Sequence, residues 1–156
     1  PQDSEDYGFT ISSKPTVVRS GRGFALSLDG TDDKLAWGAV PGTIKTVALY
    51  AYLESTTEQL LDFDGGTNYL SASGGTLSVA SCADEVIYVG TSQTATIAAG
   101  AWKAIAFTSA TGITVSNLQI GTDNTDFGQI KIAYLILSER EWSSTEIENL
   151  AKGEAF

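Results

Sequence analysis

Two short acidic stretches hold the side chains best suited to chemistry in this sequence, Asp29-Gly30-Thr31-Asp32-Asp33 and Asp123-Asn124-Thr125-Asp126. Asp29, Asp32, Asp33, Asp123, Asn124 and Asp126 offer clustered carboxylate and amide oxygens, the donors of Ca²⁺, which takes about 6–8 oxygen ligands. Their spacing is not that of an EF-hand loop. Asp, Asn, Gly and Thr are equally the ordinary material of tight turns. A second candidate is aromatic: Tyr50 and Tyr52 alternate with Ala51, so both rings share one face of a strand, where an apolar ring with a polar tip suits a sugar. Trp102 and Trp142 read as core.

Catalysis has little to build on. The chain has no histidine, which excludes an internal Ser-His-Asp triad and a His-ligated zinc site. Cys82 is the only cysteine, so no intrachain disulfide forms, and no histidine is present to activate its thiol. Asp62 and Asp64 alternate around Phe63 as glycosidase carboxylates do, but they run straight into Gly65-Gly66. Glu139, Glu141, Glu146 and Glu148 fall in a turn and helix where capping and solvation account for them.

These residues must be positioned by strands. The 156 residues suit one domain able to bury a core without metal or disulfide help. Sixteen glycines and three prolines fit many short strands with tight turns. Alternation predicts strands near 9–11, 16–18, 24–28, 46–53, 58–63, 68–72, 76–80, 85–89, 94–98, 102–108, 113–120 and 129–137. In 46–53, Val47, Leu49, Ala51 and Leu53 oppose Ala48, Tyr50 and Tyr52, the mark of a central strand covered on both sides. In the last strand Ile130, Ile132, Tyr134 and Ile136 are expected to form one continuous apolar face. Gly74-Gly75 predicts a tight hairpin. One helix is expected over 144–152, with Ser143 and Glu146 as a capping box, Trp142 and Ile147 as a staple, and Gly153 as the stop. The fold class is therefore all-β, a two-sheet antiparallel sandwich with one short C-terminal helix. Residues 1–8 read as a polar, acidic arm.

The net charge of −10 repels phosphate backbones and anionic lipid, so neither nucleic acid nor a membrane surface is an expected partner. No apolar run approaches the ~20 residues that span a bilayer, and no charged-then-apolar signal segment opens the sequence.

Several segments in order over residues 22–152 resemble the concanavalin A-like jelly roll in its laminin-G-like branch. They are residues 25–33, Thr46 to Tyr52, Gly100 to Thr108 with its tryptophan, Ile120-Gly121, and Asp126 to Leu150. The resemblance implies a jelly-roll domain over 9–156, with its first and closing strands as antiparallel neighbours, which would bring the two acidic turns together. It also implies a non-catalytic structural or interaction module, virion or extracellular: a virion-surface decoration or tail/fibre protein docked on capsid or tail proteins. The alternative is a lectin-like module binding glycans through Tyr50 and Tyr52, with calcium as cofactor.

Overall fold

The computed structural model describes residues 10–12 and 15–153, with the side chains of 10–12 left aside. The polar arm expected over residues 1–8 lies outside them. Eleven strands precede one helix: β1 Thr10–Ser12, β2 Thr16–Ser20, β3 Gly23–Ser27, β4 Lys34–Leu53, β5 Glu58–Asp62, β6 Tyr69–Ser73, β7 Thr76–Val79, β8 Val86–Val89, β9 Ser92–Gln93, β10 Trp102–Ile120, β11 Ile130–Ser138 and α1 Ser144–Lys152. The chain is an all-β antiparallel sandwich with a single C-terminal helix. No helix among the described residues is long and apolar enough to cross a membrane.

Two strands are far longer than alternation alone predicts. β4 begins at Lys34 rather than near Thr46, and β10 runs unbroken through the expected turn at 109–112. They pair antiparallel from Trp102 with Tyr52 to Ile120 with Leu35, with register shifts after Thr108 and again near Val115 and Leu118. At these irregularities both strands bend. Gly38 and Gly42 on β4 and Gly112 on β10 have positive φ, where a side chain is strained. A Cβ on Gly112 would also lie 2.7 Å from Thr43 Cγ2 and 2.9 Å from the Ile44 carbonyl oxygen.

The bend makes two layers from one hydrogen-bonded sheet. Residues 46–53 of β4 pair with β11 and with 102–108 of β10, and β3, β2, β8 and β9 extend this layer. Residues 34–40 of β4 pair with β1 and with 115–120 of β10, and β5, β6 and β7 extend the other. Val47, Leu49, Leu53, Ile105 and Phe107 of the first layer face Leu60, Leu61, Phe63, Leu70 and Leu77 of the second. The Phe63 and Phe107 rings meet edge to face at 6.0 Å between centroids.

The outer face of the first layer carries α1. Trp142 and Ile147 are buried against Ala48, Tyr88 and Ala106. Thr46 Oγ1 donates to the Arg140 carbonyl at 2.8 Å and accepts the Trp142 N–H at 2.9 Å, fixing the approach to the helix. The capping box between Ser143 and Glu146 is formed, and Gly153 ends the helix in the left-handed conformation. Gly74 and Gly75 both have positive φ, as a two-residue hairpin between β6 and β7 requires.

The structure corrects the sequence reading in two further places. The stretch 94–98 is no strand; it makes a single bridge, Thr96 to Thr76. The apolar face expected along β11 is split, because Ile132 pairs with Ala51 while Tyr134 pairs with Tyr50. This bulge turns Ile130 and Ile132, then Leu135 and Leu137, toward the interior, and Ile136 toward the helix.

Gly128 is packed so closely that a Cβ there would sit 2.0 Å from the Gln59 carbonyl oxygen. Gly128→Ala is expected to lower stability by about 3 kcal/mol, because backbone rather than a mobile side chain must move. Urea denaturation of the two proteins measures the difference.

Candidate functional site

Both acidic turns lie where the chain passes between layers. Asp29–Asp33 joins β3 to the opposite layer at the start of β4, and Asp123–Asp126 returns from β10 to β11. They come side by side as expected: Gly30 and Thr31 share one cavity wall with Thr125 and Asp126. Their carboxylates do not converge. One ligand oxygen from each of Asp29, Asp32 and Asp33 falls within 4.8 Å of the others, whereas the carboxylates of Asp123 and Asp126 are not part of that group.

The carboxylates mostly hold backbone. Asp29 Oδ1 accepts the Thr31 N–H at 2.8 Å and the Asp32 N–H at 3.4 Å, and the Thr31 amide leads in holding the Asp29 carboxyl below its ordinary value. Asp33 Oδ2 accepts the Asp29 N–H at 3.2 Å. Asp123 Oδ1 accepts the Asp126 N–H at 2.8 Å and both the amide and hydroxyl of Thr125 at 3.0 and 2.8 Å. Burial pushes the Asp123 carboxyl up, but these donors together win and its pKa is lowered. Asn124, with φ of 78°, donates through Nδ2 to the Gly65 carbonyl at 3.2 Å. The trio Asp29, Asp32 and Asp33 thus offers three oxygens to a cation, about half of what Ca²⁺ takes. The six-residue set expected from the sequence is not assembled.

Asp62 and Asp64 build a turn. Asp62 is fully buried and accepts the N–H groups of Asp64, Gly65 and Gly66 and the Gln119 amide. Asp64 accepts the Thr67 and Asn68 amides; burial raises its pKa, yet those donors outweigh it and the net shift is downward. Both carboxylates are engaged as acceptors of turn amides. Cys82 is half-buried, and burial raises its thiol pKa, away from thiolate character.

Tyr50 and Tyr52 lie on the outer face of the first layer beyond the helix. Tyr50 stacks on Trp102 at 5.2 Å and on Tyr134 at 5.9 Å, from the strands on either side. The Arg22 guanidinium lies 4.5 Å from its ring centre. Tyr52 meets the edge of Trp102, with Lys131 Nζ 4.2 Å from its ring centre and Lys131 paired to Glu54. Protein groups pack on the Tyr50 ring from both neighbouring strands, and Lys131 lies over the Tyr52 ring. Arg22 also donates to the Leu150 carbonyl at 2.8 Å, to the Ala151 carbonyl, and to the Tyr134 hydroxyl at 3.1 Å. It therefore satisfies the open carbonyls at the end of α1. Trp142 is buried, as expected, while Trp102 belongs to this aromatic row.

A different feature stands out: an apolar groove of about 330 Å³ along the open side of the sandwich. Val17, Phe24 and Leu26 of the β2–β3 hairpin form one wall, and Leu35, Trp37 and Ile120 of the other layer form the opposite wall. The exposed large hydrophobic side chains among the described residues are Val17 at 67%, Phe24 at 69% and Trp37 at 51%, and all three line it. Arg19 sits over the Phe24 ring at 5.6 Å. The sequence gives no warning of this groove. Val17 and Phe24 read as ordinary strand positions and Trp37 falls between expected strands, and only the pairing of distant strands gathers them.

Two outcomes follow from these contacts. Arg22→Ala is expected to cost about 1–3 kcal/mol through lost charge-assisted bonds. It should also raise the Tyr134 phenol pKa, which burial already lifts and Arg22 pulls down; an ultraviolet pH titration reads the shift. Acid is expected to weaken the fold. The Ser109 hydroxyl, then the Thr111 amide, holds Asp84 at about 2, and Arg140, then the Ser143 amide, holds Glu146 at about 2. Both pKa values lie below those of the unfolded chain, about 3.9 and 4.3, so the unfolded state binds more protons in between. The stabilisation they give is complete above about pH 5 and is lost as pH falls toward about 2. Urea midpoints across this range should fall, and fall less in Asp84→Asn.

No family model, no curated protein and no solved structure matches this chain.

Proposed function

We propose that the chain is a non-catalytic interaction module seated in a larger protein assembly through the groove between the β2–β3 hairpin and β4. The observation that carries this reading is the convergence of Val17, Phe24 and Trp37 on one open apolar groove. A contiguous exposed apolar patch marks a binding surface, whereas scattered apolar residues do not. The use of Asp62, Asp64 and Asp123 as turn-builders supports a role without chemistry. The resemblance of the sequence to the laminin-G-like jelly roll points to the kind of assembly, a virion surface on which the chain is a decoration or tail/fibre protein. The lectin-like alternative draws less support, since Trp102, Tyr134, Arg22 and Lys131 occupy the Tyr50 and Tyr52 rings.

Sedimentation of the chain with the particles of its native source is the direct test. The chain is expected in the particle fraction, and Phe24→Ser is expected to release it while leaving the thermal midpoint within a few degrees. A chain that remains at the top of the gradient, beside a glycan array with bound sugars, would replace this reading with the lectin-like one.

A further inference from the structure

The strand that carries Leu35 and Trp37 has one edge only partly used. Leu35 and Ala36 pair with β10 on one side and with Ile11 and Thr10 of β1 on the other. From Gly38 to Ile44, β4 pairs with β10 alone among the described residues. The ladder that β1 begins therefore stops at Ala36, while the edge it follows continues past Trp37. Such an edge takes an added strand through main-chain hydrogen bonds.

Residues 1–9, outside the described residues, lead directly into β1 and so start where that edge opens. Carrying the register of Thr10 with Ala36 onward sets Phe9 against Trp37 and Tyr7 against Ala39. Residues directly opposite in an antiparallel pair share a face. Leu35 and Trp37 both line the groove, so the positions of Phe9 and Tyr7 fall on the groove side. Aromatic residues at 7 and 9, between Asp6, Gly8 and Thr10, suit a strand with one covered face. Trp37 itself is not without a partner. Only three residues separate β1 from β2, whose Val17 lies on the opposite wall, so the segment begins at the groove.

We propose that residues 7–9 of the chain itself prolong β1 along β4 and cover the Trp37 side of the groove, and that an assembly partner enters by displacing them. Control of entry in this form rests on the reading of the groove as an assembly surface; the covering strand does not. A cover closed in about nine molecules of ten weakens partner binding about tenfold, since only the open fraction is competent.

Cysteines placed by the register test the cover in the full chain, with Cys82→Ala removing the native thiol. Opposite residues lie about 4.5–5.5 Å apart between Cα atoms, within reach of a disulfide. Tyr7→Cys/Ala39→Cys is expected to close an intramolecular disulfide under mild oxidation. It should do so faster than Asp6→Cys/Ala39→Cys, whose side chains would lie on opposite faces. Equal rates overturn the proposal, as does a disulfide-linked dimer, which would give the groove to a second copy. Sedimentation with particles reads the control of entry. Tyr7→Ser/Phe9→Ser is expected to bind up to about tenfold more tightly than the parent chain, and unchanged or weaker binding overturns displacement. If the disulfide closes but neither chain sediments with particles, the assembly reading falls while the covering strand stands.

Discussion

The fold depends on one hydrogen-bonded ladder, the pairing of β4 with β10 along nearly their whole length. Neither strand belongs to one layer. Each crosses from one to the other through a bend that needs residues without a side chain, at Gly42 on one strand and Gly112 on the other. The two layers are therefore not separate sheets pressed together by apolar contact. They are two arms of one sheet, closed on a core that includes Phe63 and Phe107. The groove lies between the β2–β3 hairpin of one arm and Leu35, Trp37 and Ile120 of the other.

The same geometry explains the acidity of the turns. Chain passing from arm to arm at the far end has no ladder to satisfy its amides, so side-chain carboxylates take that role. Asp29, Asp62, Asp64 and Asp123 each accept backbone N–H groups within four residues of themselves. Asp29 and Asp123 stand at layer crossings, whereas Asp62 and Asp64 hold the turn from β5 to β6 within one arm. For Asp29, Asp64 and Asp123 these amides hold the carboxyl below its ordinary value.

How much was legible in the sequence follows the range of the forces involved. The helix was legible to the residue, because its cap, staple and stop lie within twelve positions of one another and act locally. The Gly74-Gly75 hairpin was legible for the same reason. β4 and β10 were not, since Gly38, Pro41, Gly42 and Gly112 read as breaks, and only the partner strand shows that they are bends. The β11 bulge was hidden because Ile130, Ile132, Tyr134 and Ile136 keep perfect alternation while the backbone inserts one residue. The expectation that the two acidic turns meet followed from the resemblance, but where their carboxylates point is set by local amides that alternation does not register.

Arg22 has a consequence for how the molecule comes into being. Its guanidinium joins the first hairpin to Leu150 and Ala151, 128 and 129 residues further along. During synthesis the hairpin emerges long before those carbonyls exist, so the outer aromatic face cannot close until α1 has been made. Contacts of this span are formed late and slowly, because loop closure must be met before they stabilise anything. Until then Tyr50, Trp102 and Tyr134 lack an anchored cation, and that face of the growing chain stays open to misassociation.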